Sequence, residues 1–457
     1  MIQEKPSPAF ATEEWLQWDE RHVWHPFTQA GTAPPVTPIV AARGASLYGP
    51  EGQSYLDLIS SWWVITHGHG HPRIALALAQ QAMILEQVVF AGFTHPPAAQ
   101  LAAKLVARLP EGLSRLFFSD NGSTAVEVAL KMARQYWYNQ GKRKERFLAF
   151  QGGYHGDTVG AMSVGGSSGF FEPFRSLLFP VDWVPFPATW QGDAQVDGKE
   201  REALHALDRY LSEHGSSCAA CLMEPLVQGA AGMRMCRPQF VQQVAERLRA
   251  AGVLLIFDEV MTGFGRTGTL FACQRAATTP DIICLSKGLT GGFLPMSVTV
   301  CREEIYQAFV GDSFDRAFAH GHSFTANPLG CAAALVALAL FEEENTLPRI
   351  AQLEAIHQAR VTALADHPRV RYPRVVGSIA ALDIVADDAG YASRIGLFLR
   401  KFFLERGFLL RPLGNALYLL PPYCISDSEL HQAWDCVAEA LHQLPPVTAS
   451  EMNGQPV

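Results

Sequence analysis

The sequence predicts an α/β protein built on a mostly parallel central sheet sandwiched by helices, and three observations carry that prediction. The middle of the chain alternates short apolar runs with stretches of helical periodicity. Three of those runs, at residues 116–118, 253–257 and 282–285, stop abruptly at polar or glycine residues. The segments before about residue 60 and after about residue 344 differ in texture, with Pro-rich turns, amphipathic helices and short strand-like runs at 380–384 and 416–420. Residues 60–343 are therefore read as a large domain, and residues 1–59 with 344–457 as a smaller α/β domain assembled from both chain ends. Residues 445–457 carry no periodicity and are expected to fray.

Composition narrows the function classes. With 48% hydrophobic and 18% charged residues, the 457-residue chain has the balance of a soluble, compact enzyme. A net charge of −8 gives no global attraction for phosphate backbones, so nucleic acid is not an expected partner. The basic cluster at 142–146 is interrupted by Glu145 and reads as a solvated loop after a helix. Nine cysteines without framework spacing point to free thiols in a reducing compartment, expected to be the cytoplasm. Cys218 and Cys221 form one C-x-x-C inside an apolar stretch, where buried thiols are expected rather than a metal or redox pair. The opening residues hold proline and acids where a signal peptide needs a basic end and an apolar run. The apolar run 329–341 falls short of the roughly 18 residues of a membrane span and reads as a buried helix.

Chemistry is sought where strands end, because ligands of such sheets lie outside the carboxyl ends of the strands. The run at 116–118 leads into Ser119-Asp120-Asn121-Gly122-Ser123-Thr124, then a helix whose apolar face is Val126, Leu130, Ala133 and Trp137. Glu127 and Lys131 are spaced to pair along its surface. The Gly-Ser-Thr turn suits either a phosphate or an ordinary helix cap. The next two runs end at Asp258 and at Ser286-Lys287-Gly288, which sets a carboxylate and an amine at one sheet edge. A lysine after a buried strand is costly to keep charged, and imine formation removes that cost. A carboxylate at a pyridine nitrogen together with an imine-forming lysine makes pyridoxal phosphate an electron sink; a structural ion pair is the competing reading. Tyr154 offers an aromatic face to the same region. His67, His69 and His71 alternate between glycines before Pro72 and read as a turn before a helix, so no metal is expected. Trp62 and Trp63 are expected on opposite faces of an extended segment, one in the core and one lining a pocket.

With these residues placed, the chain resembles the class III (ω-amino) aminotransferases of the fold-type I pyridoxal-phosphate enzymes over nearly its whole length. The blocks FFSDNGSTAVEVALKMA, YHGDTVGAMSV, MEPLVQGAAGMR, FDEVMTGFGRTG, ICLSKGLTGG and HGHSFTANPLGCAAA occur in family order. RHVWHPFTQ, LDLISSWWVITHGHGHP and LLRPLGNALYLLPPY are similar to the biotin-pathway subfamily, which moves an amino group from S-adenosylmethionine to 8-amino-7-oxononanoate. The resemblance implies that Gly122 and Ser123 bind the cofactor phosphate, Tyr154 stacks on the ring and Asp258 bonds its nitrogen. It implies that Lys287 is the catalytic residue, holding the cofactor as a Schiff base and shuttling a proton once displaced. It further implies a homodimer in which Ser323 reaches the phosphate of the neighbouring subunit's cofactor. Substrate contacts are implied for Trp62, Tyr154, Lys287, Gly321, Arg411, Tyr418 and Arg266, with Arg411 forking onto the substrate carboxylate. The chain departs from the pattern at Phe27, where a tyrosine is usual, and at His322, where a proline is common. Lysine or another ω-amine is the alternative donor.

Overall fold

The computed structural model describes residues 12–166, 169–386 and 393–444; residues 445–457, expected to fray, lie outside the described residues. Near the amino end, β1 (Ala41–Arg43), β2 (Ser46–Tyr48) and β3 (Ser54–Asp57) form an antiparallel meander. The central sheet draws on β4 (Leu113–Ser119), β5 (Arg146–Phe150), β6 (Asp182–Val184) and β7 (Cys218–Met223). A short hairpin, β8 (Val227–Gln228) with β9 (Arg234–Met235), precedes its remaining strands β10 (Leu254–Asp258), β11 (Ile282–Leu285) and β12 (Ser297–Arg302). The seven strands lie in the order β4-β12-β11-β10-β7-β5-β6. Neighbours from β11 to β6 run parallel, whereas β12 is antiparallel to both β11 and β4. The sequence reading had no strand over 297–302, and direction is a property of pairing that local periodicity does not report.

β7, β10 and β11 are buried at every position, as strands covered on both faces must be. Alternation along β10 divides its side chains between two cores. Leu255 and Phe257 join Phe240, Val244 and Leu248 of the helix Pro238–Ala250. Leu254 and Ile256 join Val126, Ala129, Leu130 and Ala133 of the helix Gly122–Asn139. Each such fully buried Leu, Ile or Phe contributes about 1.5–3 kcal/mol relative to leaving it exposed. This two-sided packing fixes where the strands stop, and Glu224, Asp258 and Lys287 emerge along their carboxyl edge.

The two chain ends meet. β13 (Val370–Val376), β14 (Ile379–Ile384) and β16 (Ala416–Leu419) form an antiparallel sheet, and β15 (Phe408–Leu409) pairs in parallel with β3. The apolar run at 329–341 lies in the helix Pro328–Glu343, packed against Pro72–Ala82 and Pro96–Val106. Among the described residues no helix is long and apolar enough to cross a membrane.

Three local expectations are corrected. Glu127 does not pair with Lys131: its carboxylate accepts the N–H groups of Gly160 and Ala161 at 2.6 and 3.2 Å, at the open end of the helix Val159–Val164. The basic cluster is not wholly solvated. Lys144 is buried, and its ammonium donates to the Gly252 carbonyl at 2.5 Å and lies over the Trp137 ring at 4.3 Å. The Ser60–Trp63 segment is a kinked helical turn rather than extended, with Ser61 at φ 60° and ψ −71°. Asp57 imposes that kink by accepting the N–H groups of Ile59 and Ser61 at 3.1 and 2.6 Å.

Candidate active site

β10 ends at Asp258 in register with Cys284 of β11, so Lys287 follows three residues later on the neighbouring strand. The Asp258 carboxylate is buried and doubly held. One oxygen lies 2.7 Å from His155 Nδ1 and the other accepts the Val260 N–H at 3.0 Å. Lys287 has φ 47°, a left-handed conformation that an ordinary residue keeps only when its surroundings impose it. Its amine makes no hydrogen bond among the described residues and sits 4.7 Å above the Trp63 ring. Burial lowers its pKa from 10.5 to about 8, partly offset by the carboxylates of Asp258 and Glu224. Such an amine has a neutral, nucleophilic fraction near neutral pH.

A third carboxylate supports this edge. Glu224 follows β7 and accepts the N–H groups of Tyr154 and Gly229 at 3.0 and 2.9 Å. Burial raises its pKa to about 7. Tyr154 is raised above the ordinary phenol range by burial and by Asp157, and its ring is stacked with Phe171. At the turn before the 122–139 helix, Asn121 and Thr124 form a reciprocal capping box. That cap leaves the Gly122 and Ser123 N–H groups without an acceptor among the described residues. The Ser123 hydroxyl lies 2.7 Å from the Thr158 hydroxyl, and a Cβ at Gly156 would come within 2.4 Å of Ser123. The cap and two open N–H groups therefore coexist at one helix start, because different residues carry each.

The two tryptophans separate. Trp63 is buried, with its indole N–H donating to the Tyr418 hydroxyl at 2.9 Å. Arg266 is 1% exposed and donates to the carbonyls of Pro421, Trp63 and Ile65, so its guanidinium is committed to backbone. Tyr418 is likewise buried. Trp62 is 44% exposed, with the Arg411 guanidinium 4.9 Å over its ring and Phe27 edge-on at 5.7 Å.

Gly321 and Ser323 lie on an exposed loop, and the Ser323 carbonyl accepts from Gln87 at 2.8 Å. His322 brings that loop to Asp120, at 3.5 Å. The histidines of the 67–71 turn have separate neighbours: His69 bonds Asp57, His71 bonds Glu344, and His67 packs on Phe341. Sequence reasoning gave no role to His155, Glu224 or Thr158, and left open which of Trp62 and Trp63 lines the pocket. His155 and Glu224 stand in blocks noted for other residues, and a buried polar type beside a strand end was their available signal.

The family described as aminotransferase class-III matches residues 27–441. A Synechococcus elongatus protein named adenosylmethionine-8-amino-7-oxononanoate aminotransferase is 55% identical, covering 93% of this chain and 99% of that protein. A Geobacter sulfurreducens protein of the same name is 39% identical, covering 95% and 99%. Among solved structures, the adenosylmethionine-8-amino-7-oxononanoate aminotransferase of Methanocaldococcus jannaschii superposes with a TM-score of 0.88 at 33% identity, covering 95% of this chain and 99% of that one. A thermostable (S)-enantioselective omega-transaminase from Thermomicrobium roseum gives 0.90 at 29%, again over 95% and 99%. With a fold of this type, a half-buried lysine beside a held carboxylate and a family match spanning both, the chain belongs to the class III aminotransferases, which depend on pyridoxal 5′-phosphate.

Proposed function

We propose that this chain transfers an amino group from S-adenosylmethionine to 8-amino-7-oxononanoate, giving 7,8-diaminononanoate in biotin biosynthesis. The observation that carries the reaction type is the half-buried, desolvated Lys287 amine, free of hydrogen bonds among the described residues and beside Asp258. Donor and acceptor follow the full-length relatives named for that activity.

The residues present suit pyridoxal phosphate. The free N–H groups of Gly122 and Ser123 at a helix start, with the Ser123 and Thr158 hydroxyls, form a seat for a phosphate. Asp258, oriented by His155, offers a carboxylate to a ring nitrogen, and Tyr154 offers a ring face. When bound, the cofactor supplies an electron-accepting ring that stabilises the charge left when a C–H bond beside the amine breaks.

The remaining work belongs to the chain. Lys287 would hold the cofactor covalently, and its amine, when free, would carry a proton; burial holds that amine near the pKa such a shuttle needs. Glu224 fixes the Tyr154 backbone. Trp62 and Arg411 form the mouth, and Arg411 can leave the Trp62 face to fork onto the substrate carboxylate. Tyr418 and Arg266 act through Trp63: one holds its indole and the other its carbonyl, which keeps the ring under the Lys287 amine.

We assign the chain to the cytoplasm as a homodimer with shared sites. The exposed Met83, Ile84, Phe93, Phe314 and Phe324 support a covering partner copy, and Ser323 then reaches the neighbouring cofactor's phosphate. Lysine or another ω-amine is the second reading for the donor, favoured by Phe27, which brings no hydroxyl to the Trp62 face.

The test is the visible spectrum of the holoenzyme during titration with S-adenosylmethionine, with lysine and with alanine. Loss of the lysine-bound cofactor band with S-adenosylmethionine alone is the expected result. Loss with lysine or alanine only moves the function to another donor.

A further inference from the structure

His320 and His322 are not used by the mechanism above, yet they form one directed chain of contacts. The Lys131 ammonium, a donor only, lies 2.9 Å from His320 Nδ1, so that nitrogen accepts. His320 Nε2 then carries the proton and donates to His322 Nε2 at 3.2 Å. His322 Nδ1 is left as the remaining donor, and it faces Asp120 Oδ2 at 3.5 Å. Three contacts thus select one tautomer for each ring, and both rings must be neutral. Ring packing supports the arrangement: His320 stacks with Phe318 at 5.6 Å, and the two imidazoles meet edge to face at 4.9 Å.

The chain runs from the 122–139 helix to Asp120, two residues before Gly122 of the phosphate turn, and the 320–323 loop hangs between them. Gly321 contributes no side chain, and Ser323 is held on this side through its carbonyl. We propose that Lys131, His320, His322 and Asp120 form a neutral-histidine clamp that positions the 320–323 loop against the phosphate turn and makes cofactor retention pH-dependent. His320 and His322 are positioning residues. The inference rests on reading Gly122 and Ser123 as the phosphate seat.

Charge sets the sign. The groups facing the imidazoles are Lys131 and Glu127 from the helix and Asp120 from the turn. A protonated His320 would point an N–H at the Lys131 ammonium, which has no lone pair to accept it, so acid opposes the clamp. Burial, then Lys131, lowers the His320 pKa below the ordinary 6.5. The clamp is therefore complete above 6.5 and is lost only as pH falls through the lowered His320 value.

The experiment compares holoenzyme with His322→Phe, which keeps a ring without nitrogens, and with Lys131→Met, which cuts the opposite end. Release of pyridoxal 5′-phosphate is followed by absorbance, and hydrogen exchange of residues 318–325 by mass spectrometry, over a pH series from about 8 down to the acid limit of the holoenzyme's fold. At the higher pH both variants should release cofactor about fivefold faster than the unmodified enzyme, the worth of one net hydrogen bond, with 318–325 less protected. As pH falls through the lowered His320 value the three proteins should converge. Equal protection of 318–325 in all three at the higher pH, or a difference that persists unchanged in acid, overturns the clamp. Ser123→Ala tests the reading beneath it: unchanged retention there removes the phosphate seat, while loop exchange still decides the clamp.

Discussion

At the carboxyl edge of the central sheet, Asp258 and Glu224 are each buried and each held by two partners. At the mouth, Phe27, Trp62 and Arg411 meet through ring faces, and Phe27 and Trp62 stay exposed. Two-point bonding inside a dry edge leaves a side chain one orientation, because an unmade bond there costs the full desolvation of the group. Ring-face contacts at a wet surface are individually weak, so several arrangements are accessible. The residues proposed for the reaction thus stand where the structure is over-determined, and those proposed for substrate choice where it can yield.

The largest effect that would break this comparison belongs to the edge. Lys287→Ala should lower single-turnover transfer by at least about a thousandfold, since it removes both nucleophile and proton carrier. Transfer surviving within tenfold would move the chemistry to another residue. The next sharpens the account of the same amine. Because burial penalises its charged form and lowers the pKa to about 8, capture of pyridoxal phosphate by cofactor-free protein should rise with pH and level off above about 8. Near pH 7 the neutral fraction is then on the order of a hundredfold larger than for an exposed lysine. A capture rate still climbing toward 10.5 would show an amine in contact with water. The smallest effect lies at the mouth. Arg411→Ala should raise KM for the keto acid by about 10- to 100-fold, the worth of a charged hydrogen-bonded pair, and leave the donor half-reaction within about twofold. Equal damage to both half-reactions would place Arg411 with the edge instead.

How far the sequence could be read follows the same division. The buried strands at 254–258 and 282–285 are legible because burial on both faces demands unbroken apolar runs, and their ends place Asp258 and Lys287. The apolar face of the 122–139 helix is legible from its spacing. The antiparallel β12 is not, since Ser297–Arg302 acquires its direction only from its neighbours. Glu127 illustrates the limit at one residue. Spacing offers it Lys131 one turn away, yet the helix at 159–164 brings two open N–H groups to its carboxylate, and those bonds take it.

By itself, the sequence determined the α/β class, the strand ends that carry Asp258 and Lys287, and the glycine and hydroxyl turn beside them. These are consequences of burial and backbone geometry within a few residues. The tertiary structure alone decided which tryptophan lies under the Lys287 amine, that Arg266 spends its donors on backbone carbonyls, and that His320 and His322 join Lys131 to Asp120. Each of these depends on partners far apart in the chain, and a side chain's partner is set by which group reaches it first in the packed core.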